Sequence, residues 1–206
     1  MDIEKRIVGY LMETYNPEAL LLYGSFVDGS ANEHSDFDAL VIADHLEIHD
    51  TSTIGGTALD VFVYPPEAFL GEYDPEDFVQ VYDGRIVLDR HGAAEGLLRR
   101  VRDYVAAQPK KAGDELRQAL DWCEKMLSRT LRQDAEGWYR WHWLLVDSLE
   151  IYCDLRGLYY RGPKKALRQM ETTDGEAFRV YTRALRELDR ERLAEWIDLL
   201  KGLCRE

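Results

Sequence analysis

The chain has 206 residues, 46% of them hydrophobic and 32% charged, which is enough to bury one substantial core or two smaller ones and excludes a disordered chain. Against 39 acidic residues it carries 26 basic ones, a formal net charge of −13 that repels a phosphate backbone and argues against nucleic-acid partners. No apolar run reaches the length of a membrane span, and the acidic start of the chain is unlike a secretion leader, so no membrane partner is expected. Cys123, Cys153 and Cys204 are odd in number and far apart, with no Cys-x-x-Cys spacing. Three buried free thiols in a reducing, cytoplasmic setting are expected, with neither a disulfide framework nor a zinc site.

In chain order, Ile3, Ile7, Tyr10 and Leu11 recur at helical spacing and predict a helix over 2–15, stopped by Asn16-Pro17. The apolar run 19–23 halts at Gly24. Further β-rich runs cover 37–43, 58–64 and 85–88, with helices expected around 24–30, 66–79 and 92–107. This order argues for an α/β or α+β sheet with helices mainly on one face. Gln108-Pro109-Lys110-Lys111-Ala112-Gly113 then breaks the pattern, and β-branched residues almost vanish beyond it. The predicted domains are therefore 1–107 and 114–206. The second is read as a bundle of four or five helices, with stripes Leu116, Leu120, Cys123, Leu127; Trp141, Leu144, Leu145, Leu149, Tyr152; Val180, Ala184, Leu188; and Leu193, Ile197, Leu200. Of the second domain's aromatic residues, Trp122, Trp138, Trp141, Trp143, Tyr159 and Tyr160, most are expected to fill its core, although they could also line a pocket.

Chemistry concentrates in the stretch 22–42. A strand ending in Gly24-Ser25 and opening a short helix offers backbone N–H groups and a hydroxyl to an anion. After ten intervening residues, Asp36 and Asp38 occupy alternate positions at the start of a strand, which points both carboxylates to one side. Such a pair repels itself unless a divalent cation neutralises it, and an oxygen-only set suits Mg²⁺ shared with substrate phosphates. Asp60 interrupts the apolar run Ala58-Leu59-Asp60-Val61-Phe62-Val63, where an acid calls for a reason; a neighbouring strand would bring it beside the first two.

Tyr23-Gly24-Ser25, Asp36-Phe37-Asp38-Ala39 and Asp60 resemble, slot for slot, the motif of the minimal nucleotidyltransferases of the DNA polymerase β superfamily, over roughly residues 18–64. Asp28 departs from that pattern, standing where many members carry a basic residue. The resemblance implies an α+β fold, a polymerase β-like mixed sheet with flanking helices followed by a helical bundle, with ATP or another nucleoside triphosphate as co-substrate and two Mg²⁺ ions. It implies that Asp36 and Asp38 bridge the metals, that Asp60 ligates the catalytic one and helps activate the acceptor hydroxyl, and that Gly24 and Ser25, with Ser35 nearby, hold phosphates.

A two-domain chain of this length is also similar to the antibiotic nucleotidyltransferases, including the aminoglycoside (kanamycin) type, whose helical domain helps bind the acceptor. Asp147 and Glu150, three apart on one side of a helix, would then serve as a general base or meet a cationic acceptor; a solvated acidic face is the alternative. In Tyr159-Tyr160-Arg161-Gly162-Pro163-Lys164-Lys165, Lys164 or Lys165 would approach the nucleotide phosphates, unless this is simply a basic turn at a helix start. The resemblance also allows a homodimer. No role is assigned to His34 or His142.

The resulting expectation is transfer of a nucleoside monophosphate, AMP from ATP, to a hydroxyl of a small molecule such as an aminoglycoside-like antibiotic. One alternative is modification of a protein, as in nucleotidyltransferase antitoxins, whose nuclease partners carry an Arg-x4–6-His spacing found here only from Arg85 to His91 in the sheet domain. The other is a nucleotide-binding module without turnover.

Overall fold

The first helix, α1 (Ile3–Tyr15), starts where the Asp2 carboxylate accepts from the Glu4 N–H and ends where Asn16 turns left-handed and sends its N–H back to the Met12 carbonyl. Its apolar residues Ile7, Leu11 and Tyr15, spaced four apart, form the buried stripe. The computed structural model describes residues 2–132 and 134–204; Met1, Gln133, Arg205 and Glu206, among them the outer limits of the predicted domains, lie outside the described residues. The chain divides into two compact units, Met1–Ala107 and Gln108–Glu206.

The first unit is built on a mixed sheet of strands β1 (Ala19–Leu22), β2 (Phe37–Ile42), β3 (Ile48–Asp50), β4 (Thr53–Ile54), β5 (Thr57–Tyr64) and β6 (Arg85–Asp89), with a single turn of helix, α2 (Ser25–Asp28), after β1. The spatial order is β3-β5-β2-β1-β6, and β4 pairs with β5. Strand β1 runs antiparallel to both neighbours, whereas β2 and β5 are parallel. Parallel strands need a crossover of a dozen residues or more, which the segment 43–56 provides.

Alternation sorts the side chains. Leu20, Leu22, Phe37, Ala39, Val41, Leu59, Val61 and Val63 pack with α1, while Leu21, Tyr23, Leu40 and Ile42 face Phe78, Val81, Leu97 and Val101. The last two belong to α3 (Ala93–Ala107). Helices therefore cover both faces of the sheet, not mainly one. The α+β class stands; the added strands β3 and β4 are short and polar, and pairing with β5 makes them strands.

Where one helix is predicted over 66–79, the structure has two 3₁₀ helices, Pro66–Phe69 and Pro75–Val81. Each starts on a proline, and Asp74 caps the second through the Glu76 N–H at 2.9 Å, so the segment restarts instead of continuing.

The second unit is helical: α4 (Asp114–Arg129), α5 (Ala135–Leu155), α6 (Pro163–Thr173), α7 (Gly175–Arg186) and α8 (Arg190–Leu203). Leu120, Cys123, Trp141, Leu144, Leu145, Leu149, Tyr152, Tyr181, Leu193, Trp196, Ile197 and Leu200 share one core. Two of its polar groups are paired inside it: Trp196 Nε1 donates to Ser148 Oγ at 2.9 Å and Tyr181 OH to the Leu145 carbonyl at 2.7 Å, whereas the buried Trp141 Nε1 has no partner among the described residues.

Leu188, expected in a buried stripe, is 60% exposed, because α7 ends at Arg186 and Glu187 is extended. Cys204 is exposed, unlike Cys123 and Cys153. Of the six aromatic residues expected mostly in the core, only Trp141 is fully buried; Trp122 and Tyr160 pack against the core, and Trp138 and Trp143 are exposed. Among the described residues no helix is long and apolar enough to cross a membrane.

Candidate functional site

At the end of β1, Tyr23 N–H donates to the Asp38 carbonyl at 3.1 Å, so the chain leaves the sheet only at Gly24. There φ is +68°, a conformation L side chains avoid, and a Cβ on residue 24 would stand 2.0 Å from Asp38 Oδ2 and 2.6 Å from its Cγ. The glycine is fixed by the carboxylate packed against its backbone. Beyond it, the Gly24 carbonyl accepts from Val27 and Asp28 N–H, and that of Ser25 from Ser30 and Ala31 N–H, folding 24–31 tightly; Ser25 itself is buried.

Asp28, the residue that departs from the resemblance, has a local task. Its Oδ1 accepts from Ser30 N–H at 3.0 Å and from Ser30 Oγ at 2.6 Å, closing the turn through Gly29. Ser35 is likewise engaged, its Oγ accepting from Asn32 N–H at 2.9 Å while its own N–H returns to the Asn32 carbonyl. His34 stands out in solvent beside Glu33.

Asp38 and Asp60 are directly opposed in the parallel register of β2 and β5, and Phe37 opposes Leu59 on the α1 face. Both aspartates therefore project on the face of the sheet away from α1, beside each other. Asp36 is exposed and sits one residue ahead of β2. The Tyr23 hydroxyl lies within the field of both carboxylates: burial first, then Asp60 and Asp38, push its pKa well above the ordinary phenol range, so it stays protonated.

The partner of Asp60 is His49, whose Nε2 lies 2.6 Å from Asp60 Oδ1. His49 comes from β3, opposite Phe62 in the antiparallel register with β5, and its ring stacks on that of Phe62 at 4.3 Å and 4°. No motif in the sequence singles out His49. The signal was present in Gly55-Gly56, a two-residue hairpin turn that implies a strand paired with 57–64.

In the second unit, Asp147 and Glu150 lie on one side of α5, and both raise the pKa of the Tyr160 hydroxyl, after burial, with Cys153 adding to the effect. Asp147 Oδ2 accepts from Trp143 Nε1 at 2.5 Å. Glu150 is exposed. Lys164 and Lys165 fall in the first turn of α6, which Pro163 opens, with Lys164 exposed and Lys165 half-buried.

Among the described residues no three His, Cys, Asp or Glu side chains converge to enclose a metal ion. Asp38 and Asp60 offer instead an open pair of carboxylates, with Asp36 two residues back along the chain. That donor set fits Mg²⁺, which is held through one or two carboxylates together with substrate phosphate oxygens and retained waters instead of an all-protein cage.

No protein-family model matches the chain, and no curated protein does. Among solved structures, it is similar to a nucleotidyltransferase-like protein from Exiguobacterium sibiricum 255-15, with 13% identity over 99% of this chain and 75% of that one and a TM-score of 0.39. At that distance, what the site can do rests on this chain's own geometry.

Proposed function

We propose that the chain transfers a nucleoside monophosphate, AMP from ATP, to a hydroxyl of a small-molecule acceptor, releasing pyrophosphate with the help of two Mg²⁺ ions. The observation that carries this reading is the Asp38–Asp60 register. Two like charges directly opposed across strands destabilise a sheet, and this pair stands beside a glycine that leaves no room for a side chain. Such a pair is suited to share a cation.

Bound there, divalent cations would neutralise the carboxylates and stabilise charge developing on the phosphates. The chain's own part is positioning. Gly24 and Ser25 would present backbone N–H groups and a hydroxyl to phosphate oxygens, with Ser35 in the same loop. The acceptor oxygen forms its bond to the α-phosphorus as the bond to the departing pyrophosphate breaks. The hydroxyl proton passes to a carboxylate, for which Asp60 is the candidate in the sheet unit. In the helical unit, Asp147 and Glu150 by their charge suit a cationic acceptor such as an aminoglycoside-like antibiotic, and Lys164 and Lys165 by theirs suit a phosphate group.

The test is pyrophosphate release from each of the four nucleoside triphosphates with Mg²⁺, against a panel of aminoglycosides, lincosamides and other polyols. Acceptor-dependent release that falls by about 10²-fold or more in Asp38→Asn is expected. Labelling of a co-purified protein in place of every small molecule would transfer the acceptor role to a protein, and nucleotide binding without any release would leave a binding module.

A further inference from the structure

His49, on the edge strand β3, reaches Asp60 on the neighbouring β5 without belonging to the motif that singles Asp60 out. Its ring is held on two sides: it lies flat on Phe62, and its Nε2 reaches Asp60 Oδ1 at 2.6 Å. A carboxylate only accepts, so against an ionised Asp60 the Nε2 position carries the proton and donates. The pair is not buried structural glue, since the His49 and Asp60 side chains are 47% and 39% exposed, and an exposed pair of that kind adds little to stability. What the contact does is remove freedom from Asp60, engaging one of its two oxygens and fixing the torsion of the carboxylate.

From this we infer that His49 is a positioning residue for cation binding, holding Asp60 in the orientation in which it joins Asp38 as a ligand. The inference rests on the nucleotidyl-transfer reading for the presence of the cation, and it adds a residue from outside the motif. Carboxylates that bind metals are themselves commonly fixed by hydrogen bonds, and losing such a partner typically weakens metal binding about 10–100-fold.

The experiment is Mn²⁺ binding to the full chain in the presence of a non-hydrolysable ATP analogue, followed by electron paramagnetic resonance. His49→Phe keeps a ring to stack on Phe62 but has no donor; His49→Gln restores an N–H near the Nε2 position. Circular dichroism and thermal unfolding establish that each variant is folded. His49→Phe is expected to weaken Mn²⁺ binding about 10–100-fold, His49→Gln to recover most of it, and His49→Phe to add nothing in an Asp60→Asn background. If Mn²⁺ binding is lost in Asp38→Asn but unchanged in a folded His49→Phe, the positioning role is overturned while the proposed function stands. Equal losses in His49→Phe and His49→Gln would also overturn it. If the unaltered chain binds no Mn²⁺ with the nucleotide, the proposed function falls and the role of His49 with it.

Discussion

Gly24 and Asp38 compete for one volume: the space a Cβ on residue 24 would need is already filled by the Asp38 carboxylate, whose Oδ2 would lie 2.0 Å away. Gly24→Ala therefore combines a disfavoured positive φ with a clash against a group that cannot move without leaving its place beside Asp60. A loss of about 1–3 kcal/mol in stability is expected by urea denaturation. Cation binding should fall by more than that modest destabilisation explains, because the displaced group is a proposed ligand. An Asp38-dependent Mn²⁺ affinity unchanged in Gly24→Ala would contradict this.

Asp28 places a negative charge in the loop proposed to receive phosphates, yet the turn needs only its oxygen, which Ser30 N–H and Oγ address. Asp28→Asn keeps an acceptor and removes the charge. The KM for the nucleotide should fall about two- to five-fold at low ionic strength, and the advantage should shrink as salt screens the field. A KM that rises would show the charge to be required.

On the other face of the sheet, the buried Asp50 accepts from Tyr15 OH at 2.8 Å, Tyr10 OH at 3.2 Å and Ser52 N–H at 2.9 Å, tying α1 to β3. Burial pulls its pKa upward, but these hydrogen bonds outweigh it and hold the carboxyl below its ordinary value. A lowered native pKa means stability that is complete above the unfolded value near pH 4 and is lost as pH falls through the native one. Asp50→Asn should cost about 1–3 kcal/mol at neutral pH, and its gap from the unaltered chain should narrow below about pH 4. A gap independent of pH, in parallel urea titrations, would rule the charge out as the cause.

In the helical unit, Ser148 is fully buried and accepts from Trp196 Nε1. Ser148→Ala strands that indole N–H in an apolar core and should cost about 1–3 kcal/mol, read as a lowered midpoint of thermal unfolding. Little or no change would mean that the indole finds another acceptor.

The fold was legible where patterns are local. Ile3, Ile7, Tyr10 and Leu11 announce α1 by spacing, and β-branched and aromatic content announces the runs that form β2 and β5. Asp60 was legible for the opposite reason, as an acid in an apolar strand. His49 was not, because Ile48-His49-Asp50 is too short and polar to read as a strand; its contact with Asp60 exists only through the register of β3 on β5. The helix expected over 66–79 failed on Pro75, which the average composition of the segment conceals. Leu188 shows the same limit, since a stripe extrapolated in steps of four runs past the last residue of its helix.

The parallel pairing of β2 and β5 also protects the site from misassembly. Side chains alternate along β5, so slipping its register against β2 by one residue would turn Asp60 to the α1 side, among Leu20, Leu22 and Val41, and would turn Leu59 and Val61 away from it. An unpaired carboxylate in that interior is far more costly than any contact such a slip could gain. The hydrophobic core therefore proofreads the chemistry: a chain that buries its apolar residues correctly has, by the same act, set Asp60 beside Asp38.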